Sequence, residues 1–165
     1  MIEQIRDLIE SLIALNTQKI DLLEEILDHT KQQQVLISSN SLNSLMEIVK
    51  RKQEVMDRID DIDRNFYLSF VQLKECLGVE SIEEIDPLAH PEILRLKSTV
   101  NLVMRSLEAI EELDRRNLKE VQSEIDKVKE SMRSVQEQKK ISKGYGTGNS
   151  AYAADSQGFY IDGKK

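Results

Sequence analysis

Tryptophan is absent from this chain of 165 residues, cysteine occurs once and proline twice, and aromatic residues make up only 4%. Each shortage excludes something. One cysteine, Cys76, cannot form an internal disulfide, which fits a reducing compartment. Only one glycine, Gly78, precedes the C-terminal stretch, and the prolines, Pro87 and Pro91, lie close together. Regular structure therefore runs uninterrupted for long distances, the mark of helices that bury a narrow stripe and solvate the rest. Glu3, Arg6, Asp7 and Glu10 break up the first apolar residues, so no signal peptide is expected, and no apolar run approaches a membrane span. A cytoplasmic protein without membrane insertion is the expectation.

Charged residues make up 32% and the net charge is −7. It divides unevenly: residues 1–137 carry 18 basic and 28 acidic side chains, net −10, and the remainder is net +3. An acidic body disfavours nucleic acid, whose non-specific affinity comes from neutralising phosphates.

The apolar residues recur at three- and four-residue steps in three long segments. The first holds Ile5, Leu8, Leu12, Leu15, Leu22, Ile26 and Leu36, with Lys19, His29 and Gln33 on the same seam. Such a broad, interrupted stripe suits an antiparallel bundle better than a two-stranded coiled coil. "SSNS" (Ser38 to Ser41) predicts a tight turn with a new N-cap at Asn40 or Ser41. The second segment runs from Leu42 through Ile48, Val55, Ile59, Ile62, Phe66 and Phe70 to Leu77, and Gly78 suits a left-handed helix end. Ser81 and Glu84 have capping-box spacing and predict a short helical turn, and Pro91 suits the first position of the third helix. That helix carries Leu96, Val100, Val103, Leu107 and Ile110. Asp114 and Asn117 then fall on the next seam slots, within "LDRRN" (Leu113 to Asn117). The stripe resumes one residue out of phase as Leu118, Val121, Ile125, Val128, Met132 and Val135, and periodicity ends after Lys140. The expected fold is all-α, an antiparallel bundle of three long coiled-coil-like helices over 1–140 with a helical turn in the 78–91 connection. A flexible tail is expected over 141–165. Three bundled helices leave the distal stripe short of partners.

Catalytic and metal-binding constellations are missing from the sequence. His29 and His90 have no second histidine or cysteine at ligand spacing, and no phosphate-cradling glycine loop or nucleophile elbow occurs. A seam-edge histidine capped by a neighbour is the reading of His29, and a small packed thiol that of Cys76. No enzyme activity, metal or cofactor is expected.

The tail differs in kind. GYGTGNSAYAADSQGFYIDGKK (Gly144 to Lys165) contains five of the six glycines and, as Tyr145, Tyr152, Phe159 and Tyr160, four of the seven aromatic residues. Segments that stay solvated are usually poor in aromatics, so these four read as contact residues, either for a docking partner or as a shield over the distal stripe when cargo is absent.

The quoted segment "LLEEILDHTKQQQVLISSNSLNSLMEIVKRKQEVMDRI" (Leu22 to Ile59), the "LDRRNLKEV" before the distal helix and the "FYIDGKK" ending resemble the FlgN-type flagellar export chaperones. Lys52 and Asn117 match a lysine and an asparagine common in that family. Members often carry two asparagines where this chain has Asp114 and Asn117. The resemblance implies a non-enzymatic carrier that binds the C-terminal amphipathic helix of hook-associated proteins and delivers them to the flagellar type III export apparatus, with its gate and ATPase components as second partners. The cargo contact then maps onto Leu118, Val121, Ile125, Val128, Met132 and Val135. The competing expectation is a coiled-coil scaffold whose distal helix pairs with itself in a homodimer.

Overall fold

The computed structural model describes residues 1–144. Its elements are α1 (Ile2–Ser38), α2 (Leu42–Leu77), a 3₁₀ turn (Ile82–Glu84) and α3 (Ile93–Gly144), and no strand occurs among the described residues. With 37 and 36 residues, α1 and α2 each span about 55 Å at 1.5 Å per residue. The chain divides into two compact units, Met1–Glu120 and Val121–Lys165.

The first unit is the bundle. The turn between α1 and α2 is closed by backbone chemistry: Asn40 takes the left-handed conformation (φ 55°). The Asn40 and Ser41 amides donate to the carbonyls of Ile37 (3.3 Å) and Leu36 (3.1 Å), which satisfies the open end of α1. Asparagine tolerates this conformation better than most residues. Ser41 takes the N-cap position of α2 but makes no side-chain cap bond. At the other end Gly78 (φ 64°) closes α2, and the Val79 amide donates to the Lys74 carbonyl at 3.2 Å. The expected capping box does not form, although the helical turn it predicts does. Glu84 accepts from the Glu80 amide at 2.9 Å, while Ser81 makes no side-chain cap bond. Pro91 sits in a turn two residues ahead of α3, with the Leu94 amide bonded to its carbonyl at 3.2 Å.

Pairings between helices fix their directions. From α1 to α2 the bonded or ion-paired residues run Lys19–Asp63 (2.7 Å), Glu25–Arg58 (3.9 Å) and Gln33–Lys52 (3.0 Å) in opposite order, so these helices are antiparallel. From α1 to α3 they run Glu10–Arg95 (3.0 Å), Asn16–Thr99 (3.1 Å), Thr30–Asn117 (3.0 Å) and Ser38–Glu120 (2.7 Å) in the same order, so these two are parallel. Up–down–up topology follows. The closest backbone approach is between α1 and α2.

Two apolar clusters stack along the bundle. At the base, Ile5, Ile9, Leu12 and Ile13 meet Leu73, Ile85, Ile93 and Leu96, with Phe66, Phe70 and Cys76 against them. Higher up, Leu22, Leu23 and Ile26 meet Val55, Ile59, Val103 and Ile110. Ile9, Leu12, Leu73, Ile93 and Leu96 are fully enclosed, and each contributes roughly 1.5–3 kcal/mol of burial.

Candidate partner-binding surface

The "LDRRN" interruption is a polar layer above the second cluster. Asp114 and Asn117 occupy the α3 slots that the 3–4 spacing assigns to the core, and both find partners from other helices. Asp114 accepts from Lys52 Nζ on α2 at 2.6 Å, and the same ammonium donates to Gln33 Oε1 on α1 at 3.0 Å. Lys52 is nearly enclosed, its side chain 12% exposed against 47% for Asp114. Asn117 is buried, and its Nδ2 donates to the Thr30 carbonyl at 3.0 Å. Thr30 turns its own hydroxyl back to the Ile26 carbonyl at 2.6 Å. Two buried atoms of the described residues at this level have no protein partner: Asn117 Oδ1 and, one residue before Thr30, His29 Nδ1. The expected neighbour that caps His29 does not reach this atom.

Polar residues at core positions on three helices lock register, because the layers above and below are apolar and cannot satisfy them. The sequence marks Gln33, Asp114 and Asn117 as seam residues, but not the cross-helix bonds, which depend on a register that periodicity leaves open. Within the next turn, Arg115 and Arg116 both bond to Glu112. Arg115 first and Arg116 second hold the Glu112 carboxyl below its usual range.

The second unit is, among the described residues, the helix from Val121 to Gly144. None of its residues is buried. Ile125, Val128 and Val135 are 43%, 52% and 49% exposed, Val121 and Met132 are half-buried, and Ile141 lies 64% exposed on the same helix. Polar residues here bond along the helix itself, as in Gln122–Asp126 (3.1 Å) and Glu124–Lys127 (3.2 Å). Leu118, the first residue of the resumed stripe, belongs to the bundle unit and is 70% exposed. Helical order continues to Gly144, past Lys140 where the periodicity ends. Tyr145, Tyr152, Phe159 and Tyr160 lie outside the described residues.

No group of three or more His, Cys, Asp or Glu suited to a metal occurs among the described residues. Cys76 is a half-buried free thiol against the base cluster. An open cavity of about 690 Å³ lies near the α1–α2 turn, lined by Val35, Leu36 and Ile48 with Lys31, Glu47 and Arg51 at its edge. The family model described as FlgN protein matches residues 1–152. This chain belongs to the FlgN family. No curated protein and no solved structure matches it.

FlgN-family proteins are flagellar export chaperones, not enzymes, and they bind flagellar proteins. Within this FlgN-family chain the two family-like residues, Lys52 and Asn117, both belong to the polar layer. Asp114 supplies the carboxylate that Lys52 meets. Among the described residues no helix is long and apolar enough to cross a membrane.

Proposed function

We propose that this FlgN-family chain is a cytoplasmic chaperone of hook-associated flagellar proteins. It holds the C-terminal amphipathic helix of its cargo against Leu118, Val121, Ile125, Val128, Met132 and Val135. The observation that carries this reading is the distal helix: a repeating apolar stripe over a unit in which no described residue is buried. An apolar stripe at i, i+3, i+4 and i+7 offers helix-to-helix recognition by side-chain anchors. Six such side chains yield roughly 9–18 kcal/mol gross on burial, at about 1.5–3 each. Lost rigid-body freedom and ordering of the cargo helix take back roughly 4–15 kcal/mol. The balance suits a carrier that must release what it holds.

Delivery to the type III export apparatus requires a second contact while cargo is held. Tyr145, Tyr152, Phe159 and Tyr160 supply it, docking on the export gate or its associated ATPase. Tethering both contacts in one chain raises the effective concentration of cargo at the gate. A chain truncated after Lys143 separates the two roles. Cargo affinity stays at the full-length value, while gate binding and secretion of the hook-associated protein are lost. Unchanged secretion by the truncated chain overturns the assignment of the tail.

A further inference from the structure

Apolar side chains that the core does not use line the seam between α2 and α3 of the bundle. The Lys52–Asp114 bond sets the register of these helices there. Residues three or four positions from a partner share its helix face. On α2 those residues are the buried Ile48 and Val55 and, on the solvent side, Val49 and Met56. On α3 the same face carries Leu118 four residues after Asp114, Leu107 two turns before it, and Met104 beside Leu107. The exposures of Val49 and Met56 are 49% and 43%, and those of the three α3 residues 70%, 40% and 54%. Five large apolar side chains in one row are not the scattered singletons of an ordinary surface. Two are methionines, whose flexible thioethers adapt to a partner's shape.

Three carboxylates without an ion-pair partner lie beside this row. Asp60 lies four residues from Met56, Glu108 four from Met104, and Glu111 four from Leu107. All three are exposed, and none takes part in an ion pair among the described residues. Of the cations nearby, Lys52 is bonded to Asp114, Arg64 to Asp61 and Arg115 to Glu112. Unpaired carboxylates beside an apolar row favour a partner that brings cations to meet them. A groove between two helices, with anchors at three- and four-residue steps, is shaped for a third helix.

We propose that this α2–α3 seam is a docking groove for a basic amphipathic helix of the exported cargo, a contact on the bundle additional to the distal stripe. The proposal rests on the cargo-chaperone reading above. The seam takes the apolar face of the helix, and Asp60, Glu108 and Glu111 take its lysines or arginines.

Titration calorimetry of the full chain with a purified hook-associated protein, at low and moderate salt, tests it. Met56→Asp and Leu107→Asp are expected to weaken binding by about 30-fold or more, with the melting temperature of the free protein unchanged. The pair Glu108→Lys with Glu111→Lys, at exposed positions that carry no packing, is expected to lower affinity about tenfold at low salt and to flatten the salt dependence. That pair decides the matter should the aspartate variants disturb folding. Wild-type affinity and salt dependence in the charge pair overturn the groove. If Ile125→Asp still abolishes binding in that case, the cargo-chaperone reading stands without it. A loss of self-association in Met56→Asp with cargo affinity unchanged assigns the seam to a second copy of the chain, and also overturns the proposal. Absence of any binding by the wild-type chain removes the reading on which the groove rests.

Discussion

Asp114→Ala takes away the carboxylate that meets Lys52 at 2.6 Å and leaves the ammonium with Gln33 as its protein acceptor. Two limits bracket the cost. Breaking a fully buried pair costs about 3–5 kcal/mol, because a charge is stranded in the interior. An exposed pair is worth roughly 0–1 kcal/mol. Lys52 is 12% exposed but Asp114 is 47% exposed, so water screens one side of the bond and the effect falls between the limits. Alanine's better helix propensity returns about 0.5 kcal/mol. A net loss of about 1–2 kcal/mol is expected, and at roughly 4 °C per kcal/mol for a domain of this size the melting temperature falls by about 4–8 °C. Urea denaturation of the single and double variants measures it. Lys52→Met with Asp114→Leu, which replaces both partners by apolar groups, is expected to recover wild-type stability to within about 1 kcal/mol. A loss below about 0.3 kcal/mol in Asp114→Ala refutes the reasoning, since it means that Lys52 is solvated and the layer is surface.

Asn117→Leu removes a buried oxygen with no protein partner along with one bond to the Thr30 carbonyl, and is expected to stabilise the bundle by about 0.5–1.5 kcal/mol in the same assay. Gly78→Ala is expected to cost about 1 kcal/mol. The new Cβ meets nothing within 4 Å, so the loss is the left-handed backbone alone and Gly78→Asn recovers part of it. For Glu112 the sign follows from a folded-state pKa held below the unfolded value by Arg115 and Arg116: its contribution is present above the unfolded pKa and is lost as pH falls through the folded one. Carboxyl carbon NMR is expected to show the Glu112 midpoint below the ordinary glutamate range, rising to it in the Arg115→Gln, Arg116→Gln chain.

Most of the helical frame was legible because it rests on local chemistry. Residues at three- and four-step spacing from Ile5 to Leu36, and again from Ile48 to Leu77, can bury one face only as helices. Ser38 to Ser41 and Gly78 end them through backbone demands that few other residues meet. Cross-helix pairing was less legible. Asp114 and Asn117 read as an interruption, since their partners lie 62 and 87 positions away and are fixed only once three helices share a register. At Ser81 the short helical turn was legible but its capping was not: Glu84 reaches the Glu80 amide, one residue earlier than the motif predicts. His29 departs from its seam reading for a related reason. Its seam position implies a neighbour, yet Nδ1 is enclosed with no protein partner. The shift of the stripe at Leu118 was visible in the sequence. The solvent exposure of that residue on α3 emerges only with the bundle in place.

Calorimetric titration of the full chain and its Ile125→Asp variant with a hook-associated protein, alongside thermal melts of both free proteins, tests the central claim most directly. Ile125 is 43% exposed in the free protein, so a carboxylate there costs little until a partner covers it. The account predicts saturable binding by the wild type, loss of that binding in Ile125→Asp, and melting temperatures within about 2 °C of each other, as for a surface substitution. Unchanged cargo affinity in the variant, or a fall of many degrees in its melting temperature, contradicts the assignment of the distal stripe to cargo.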